Sequence, residues 1–74
     1  MERRAIRDII ASNVAAAITA ARTDVDSVAE ATDTTPTHLA RCLRSESPFE
    51  AELLGRVGGF LRVSTESLME GTAA

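Results

Sequence analysis

The side chains with the clearest chemical potential lie in one segment near the middle of the chain, TTPTHLARCLRSESPFE. At about 100° per residue, a helix through this segment turns its leucines to one side. Thr37, Arg41 and Arg44 then lie on the other side, with His38 and Ser45 on their flank. Arginine can donate two hydrogen bonds to guanine O6 and N7, and threonine can contact a base edge or a thymine methyl. The face therefore suits the major groove of DNA, although any solvated helix could display two arginines.

The same segment contains two signals for the start of a helix. Thr35 is a good N-cap, and Pro36 stands at the first helical position, where its missing N–H has no consequence. The spacing predicts a third helix from Pro36 to about Arg44. Ser47-Pro48-Phe49-Glu50 repeats the signal with a capping box, which predicts that a fourth helix opens at the proline.

Length and composition favour one small all-α domain. Seventy-four residues correspond to a single domain, and a hydrophobic fraction of 45% is enough for a compact core. Only Phe49 and Phe60 are aromatic, so the core must be built from alanine, valine, isoleucine and leucine. Alanine is abundant and β-branched residues are scattered, which favours helices over sheets.

Five helices are predicted in all. Apolar spacing predicts the first over about 3–22, and Asp24 can cap a second over about 25–31. The fourth contains Gly58-Gly59, which indicates either a break or the close packing of a neighbour. A short last helix ends at Gly71. The residues expected to face inward are Ile6, Ile10, Val14, Ala17, Ile18, Ala21, Val28, Ala29, Leu39, Cys42, Leu43, Leu53, Leu54, Val57, Phe60, Leu61, Leu68 and Met69.

The net charge of −3 restricts the kind of nucleic-acid binding open to the chain. Non-specific binding rests on the neutralisation of phosphates, which an acidic protein does poorly. All eight basic residues are arginines, and a specific binder could still gather them on one face. Arg3, Arg4 and Arg7 lie in the first turns of the first helix, where the helix dipole disfavours cations. They either have another use or form a solvated helix start.

The order of these elements resembles the lambda repressor and Cro-like family of DNA-binding domains, over residues 13–71. A short helix, a turn of about three residues and a second short helix match a helix-turn-helix. The resemblance implies an all-α, five-helix, lambda-repressor-like domain. It rests on VAE at 28–30, DTT at 33–35, Leu39, SPF at 47–49 and LRVSTESL at 61–68.

The resemblance also implies roles for individual residues. Base-reading positions of the family fall on Pro36, Thr37 and Arg41, with His38 beside them. Residues that would contact a base or a phosphate at the ends of this helix are Thr35, Arg44, Ser45 and Ser47, with Glu46 between the two serines. Arginines that would bind the DNA backbone, if they reach it, are Arg3, Arg4, Arg7 and Arg22.

Two positions depart from the family pattern. Asp33 occupies the turn position usually filled by glycine, where it can adopt a left-handed conformation at some cost. Val25 stands where the family often has a phosphate-binding glutamine, and it is flanked by Asp24 and Asp26. Their carboxylates would repel phosphates, so backbone binding would depend more on the arginines named above.

The sequence lacks the residue patterns of metal binding, nucleotide binding and catalysis. One histidine and one cysteine cannot furnish a standard zinc site, and the chain has neither a glycine-rich phosphate loop nor triad spacing. No cofactor, small-molecule substrate or enzymatic activity is therefore expected, and Cys42 is expected to pack in the core. A single free thiol, no secretory leader and no apolar run of about 18 residues predict a cytoplasmic protein without a membrane span.

These patterns favour a sequence-specific transcriptional regulator, of the phage or prophage repressor type, that binds a double-stranded DNA operator through the helix at about 36–44. The alternative is a small helical protein-interaction module, such as an antirepressor or adaptor, which the acidic charge supports. Such regulators commonly bind DNA as dimers. The last two helices, with Phe60, Leu61, Leu68 and Met69, form either a homodimer surface or the closing part of a monomer's core.

Overall fold

Five α-helices joined by short turns make up the computed structural model, which describes residues 5–71. The helices are α1 (Ile6–Ala20), α2 (Val25–Ala31), α3 (Pro36–Leu43), α4 (Ala51–Leu61) and α5 (Thr65–Leu68). No strand occurs in this part of the chain. The all-α, five-helix prediction is confirmed, and the predicted bounds of α2 agree with those observed.

The core is aliphatic, and every helix contributes to it. α1 packs against α3 and α5, while α2 packs against α3 and α4. Among residues 5–71 no aromatic side chain is fully buried, although Phe49 packs against the core from its edge. The buried cluster consists of Ile10, Val14, Ile18, Val28, Ala29, Leu39, Cys42, Leu53, Leu54, Val57 and Leu68.

Four residues predicted to face inward are exposed. Ile6 is 58% exposed in the first turn of α1, and Ala21 lies at the other end of that helix. Phe60 is 45% exposed because it lies at the edge of the α4 stripe formed by Leu54 and Val57. Met69 is 41% exposed because it follows the last turn of α5. Periodicity places these side chains near the core, but their helices end before a neighbour covers them.

The start of α4 differs from the prediction. Glu50, not Ser47, is the N-cap; it has extended backbone angles, and its side chain makes no capping hydrogen bond. A residue before proline is biased towards extended backbone, and Phe49 packs against the core from the segment that follows. The Cys42 thiol donates to the Pro48 carbonyl across 3.7 Å, which ties this segment to α3. These contacts hold residues 48 and 49 outside the helix, so α4 begins only at Ala51.

The first four helices end in the same way, without a glycine. Each is followed by a residue in the left-handed region, whose N–H bonds to the carbonyl three residues earlier. The next N–H bonds to a carbonyl five residues earlier, which completes the Schellman arrangement. A left-handed conformation costs a non-glycine residue about 1–2 kcal/mol. The residues concerned are Arg22 (φ 57°), Asp33 (φ 58°), Ser45 (φ 63°) and Arg62 (φ 59°). The left-handed turn expected at Asp33 is thus confirmed.

α4 continues through Gly58-Gly59 without a break. The N–H of Val63 bonds to the Gly58 carbonyl, so the chain leaving α4 folds back over this glycine. A Cβ atom at position 58 would lie 2.6 Å from the Val63 carbonyl oxygen, whereas one at position 59 would meet nothing within 4 Å. Of the two explanations offered for the glycine pair, close packing is correct and applies to Gly58 alone.

This difference predicts opposite effects for two neighbouring alanine substitutions. Gly58→Ala should lower the free energy of unfolding by about 1–3 kcal/mol, because the backbone around Val63 must move. Gly59→Ala should raise it by up to about 1 kcal/mol, because alanine favours the helix and meets open space. Urea denaturation followed by circular dichroism measures both, and equal effects would contradict the close approach at Gly58.

Candidate nucleic-acid interface

α3 is held by its cap and by its apolar side. The Thr35 hydroxyl oxygen accepts a hydrogen bond from the His38 N–H at 3.1 Å, and Pro36 opens the helix. Leu39 and Cys42 are completely buried. The start and cap predicted for α3 are confirmed, and the helix ends at Leu43 with Arg44 as its C-cap.

The opposite side of α3 is exposed. Pro36, Thr37, Arg41 and Arg44 all lie on the surface. Thr37, Arg41 and Arg44 are on the side of the helix away from Leu39, and Pro36 lies at its first position beside Thr37. The structure therefore brings together three of the four predicted base-reading residues, with Arg44 beside them. The surface formed by Thr37, Arg41 and Arg44 is called the α3 face below.

A shallow groove of about 370 Å³ separates the α3 face from α2. Its lining from α3 includes Thr37 and Arg44, and its lining from α2 includes Val25 and Asp26. Val25 is half-buried against the core, so the position that the family pattern gives to a phosphate-binding side chain serves packing here. The carboxylate of Asp26 is the charged group that α2 contributes to this groove.

Arg44 forms an ion pair that its sequence position did not reveal. Its Nε lies 2.9 Å from Oε2 of Glu46, and both side chains are more than half exposed. The hydrogen bond and the charge of Arg44 lower the pKa of Glu46, and the same contact raises the pKa of Arg44. Arg41 also lowers the pKa of Glu46 through its charge, so this carboxylate is in the field of both arginines of the α3 face.

His38 is separated from the other predicted base readers. It is half-buried and lines a cavity of about 190 Å³ between the helix-turn-helix turn and the start of α4. Its Nε2 lies 3.8 Å from the Cys42 sulfur, and burial raises the pKa of that thiol. Arg56 of α4 lines the same cavity and donates to the Thr32 carbonyl at 3.4 Å. His38 thus contacts Cys42 of its own helix and lines this cavity, whereas Thr37 and Arg44 line the groove beside α2.

The remaining predicted contact residues are dispersed. Ser45 and Ser47 are half-buried after α3, and the left-handed turn at Ser45 ends that helix. Arg22 is exposed in the turn before α2, and Arg7 is exposed in the first turn of α1. Arg3 and Arg4 lie outside the described residues.

Sequence reasoning missed Glu46 as a partner of Arg44 and Asp26 as a wall of the groove. The signal for the first was local, because a single residue separates an arginine from a glutamate just after a helix. The pairing of Arg44 with Glu46 could be inferred only once the left-handed turn at Ser45 was known, because that turn brings the two side chains together. The position of Asp26 depends on how α2 packs against α3, which no local pattern specifies.

Within residues 5–71, no three histidine, cysteine, aspartate or glutamate side chains are grouped so that they could hold a metal ion. None of the described helices has the length and apolar character needed to cross a membrane.

α2, the turn at 32–35 and α3 define a helix-turn-helix fold whose second helix is displayed at the surface. Two crystal structures of the clp gene regulator ClgR from Corynebacterium glutamicum have similar folds. One matches with a TM-score of 0.88 at 19% identity, over 92% of this chain and 72% of that chain. The other matches with a TM-score of 0.87 at 20% identity, over 97% of each chain. No protein-family model and no curated protein sequence matches the chain.

The cap of α3 predicts the effect of a single substitution on stability. Thr35→Ala should lower the free energy of unfolding by about 1 kcal/mol, because the His38 N–H loses its acceptor. Ser47→Ala is the matched control, since Ser47 is not the cap of α4; its effect should stay within about 0.5 kcal/mol. Chemical denaturation without DNA measures both, and equal losses would contradict this assignment of the caps.

The cap of α2 predicts a dependence on pH. The Asp24 carboxylate accepts from the Ser27 N–H at 2.8 Å, and this hydrogen bond lowers the pKa of Asp24 below 3.8. A lowered pKa adds stability above the unfolded-state value, and that contribution is lost as pH falls through the folded-state value. Asparagine can cap the helix but does not ionise, so Asp24→Asn lacks the stabilisation that comes from the charged carboxylate. The variant should therefore have a lower Tm than the parent protein at pH 7, and this difference in Tm should disappear as the pH falls below 3.8. Thermal denaturation across pH tests this, and a constant difference would contradict it.

Proposed function

We propose that the protein is a sequence-specific, double-stranded DNA-binding regulator of transcription that places α3 in the major groove. The observation that carries this proposal is the α3 face itself. Leu39 and Cys42 hold one side of the helix, and the other side presents Thr37, Arg41 and Arg44 to the outside. Helix-turn-helix proteins use the second helix of the motif in this way.

Each residue of the α3 face has a role in this proposal. Arg41 lies in the middle of the face and is suited to donate two hydrogen bonds to a guanine, while Thr37 contacts a base edge or a thymine methyl. Arg44 lies at the end of the helix, where a phosphate or a base is within reach of its guanidinium. Thr35 and the first N–H groups of α3 are suited to meet a phosphate at the helix N-terminus.

The similarity to the clp gene regulator ClgR supports a regulatory role, because the same fold serves a regulator there. One fold can serve several functions. The main support for DNA binding is therefore the set of side chains on the α3 face, and the fold is only consistent with it. The narrower hypothesis, a repressor of phage or prophage type in a bacterial cytoplasm, rests on the sequence resemblance over residues 13–71. Repression would follow if the bound protein occupied a promoter.

A homodimer through the last two helices is part of the proposal. Leu68 is buried and Leu61 packs against the core, so these two residues close the domain itself. Phe60 and Met69 stay 45% and 41% exposed, and they are the apolar side chains of this end that a second copy would cover. Light scattering of purified protein, alone and with DNA, gives the mass that decides this point.

The competing hypothesis is a protein-interaction module. Asp26 and Glu46 place two carboxylates beside the two arginines of the α3 face, and this mixed charge also suits a polar protein surface. The two hypotheses differ in salt dependence, because DNA binding weakens steeply as salt rises. Selection of duplexes from a random library at low salt is the direct test, and no enrichment would contradict DNA binding.

Arg41 provides a quantitative prediction on the selected duplex. Arg41→Gln should weaken binding by about 1–3 kcal/mol and relax preference at one base position. Arg62→Gln removes the same charge from the far end of α4, where Arg62 ends the helix, and it should change affinity less than about twofold. Fluorescence anisotropy on the selected duplex and on single-base variants measures both effects. Equal losses for the two variants would show that only overall charge matters.

A further inference from the structure

Glu46 lies just after the end of α3 and pairs with Arg44. Its backbone N–H bonds to the Arg41 carbonyl at 2.9 Å as part of the turn that ends α3, so its location relative to the helix is determined by backbone contacts. Its carboxylate then meets the Arg44 Nε at 2.9 Å. A carboxylate and a phosphate offer arginine the same arrangement of acceptor oxygens. A phosphate that approaches the Nε edge of the guanidinium therefore competes with the carboxylate for the same donor.

From this geometry we infer that Glu46 is an affinity-determining residue that holds Arg44 in the free protein and competes with the DNA backbone for it. The inference rests on the proposed function, since it assigns a role to a residue beside the same face. On binding, the Arg44 guanidinium exchanges the Glu46 carboxylate for a phosphate oxygen. The exchange is feasible because the pair is exposed, and exposed ion pairs contribute little to stability.

The consequence is weaker binding to DNA of any sequence. After the exchange the carboxylate has lost its partner, so each contact between Arg44 and a phosphate costs the free energy of the ion pair that it replaces. Asp26 adds a second carboxylate across the groove from Arg44. With two arginines and two carboxylates in one region, correct hydrogen bonding to bases contributes a larger share of affinity. Glu46 therefore lowers affinity for every duplex by a similar factor.

The test compares Glu46→Gln with a matched variant, Glu52→Gln, on the selected duplex and on a random duplex. Both substitutions remove one negative charge from a glutamate paired with an arginine, but the pair of Glu52 and Arg56 lies on the His38 side of the domain. Glu46→Gln should raise affinity for both duplexes about threefold to tenfold at low salt. The slope of log K against log salt should steepen by about 0.9, the value of one phosphate charge, because in the parent protein the carboxylate that Arg44 leaves takes up a cation and offsets the one that the phosphate releases. Glu52→Gln should bind as the parent protein does.

A double-mutant cycle with Arg44→Gln separates competition for Arg44 from general repulsion. If Glu46 acts by holding Arg44, then Glu46→Gln should change affinity less than about twofold in the Arg44→Gln background. An undiminished gain in that background would overturn the inference, as would equal gains from Glu46→Gln and Glu52→Gln. All of these side chains are exposed, and circular dichroism verifies that each variant is folded.

The two proposals fail in different ways. If the parent protein enriches no duplex above random sequence and Glu46→Gln also binds none, the proposed function is wrong and the role of Glu46 is wrong with it. If the parent protein binds a selected duplex and Glu46→Gln binds it equally well with the same salt slope, only the role of Glu46 is wrong.

Discussion

The burial of Leu39 and Cys42 is the contact on which the arrangement of the α3 face depends. α3 has only eight residues, and a helix of that length is not stable alone in water. Its persistence relies on the core contacts of these two side chains and on the cap at Thr35. Because the helix is held along one side, its rotation about its own axis is set. The side chains opposite the buried pair are therefore presented outward as a group.

The directions of the helices depend on how each helix ends. Three to seven residues connect consecutive helices, which leaves the chain little length in which to turn. A left-handed residue after each of the first four helices reverses the backbone within one or two positions and satisfies the last carbonyl groups. All four positions are occupied by non-glycine residues, so each turn carries a side chain and also has some backbone strain. At Ser45 this turn also brings Glu46 beside Arg44.

The charge distribution suits DNA binding through hydrogen bonds to bases more than binding through electrostatic attraction to phosphates. The net charge of the chain is −3, and the α3 face has carboxylates on its groove side and at its end. A surface of this kind gains little binding free energy from the phosphate backbone, because arginines already paired with carboxylates cause little net release of counterions from DNA. A regulator built in this way would owe its affinity to correctly placed hydrogen bonds, and wrong sequences would retain little binding.

The sequence by itself determined the helices, the bounds of α2, the start of α3 and the division of α3 into a buried and an exposed side. These features depend on local patterns, because apolar periodicity and capping residues act within about one helical turn. Only the tertiary structure decided that α4 begins at Ala51, that Phe60 and Met69 stay exposed, and that His38 lies apart from the α3 face. It also decided that Glu46 holds Arg44. These outcomes depend on where the chain goes after a left-handed turn and on which neighbour covers which side chain. Such contacts join residues of different helices and turns, and no single segment of the sequence encodes them.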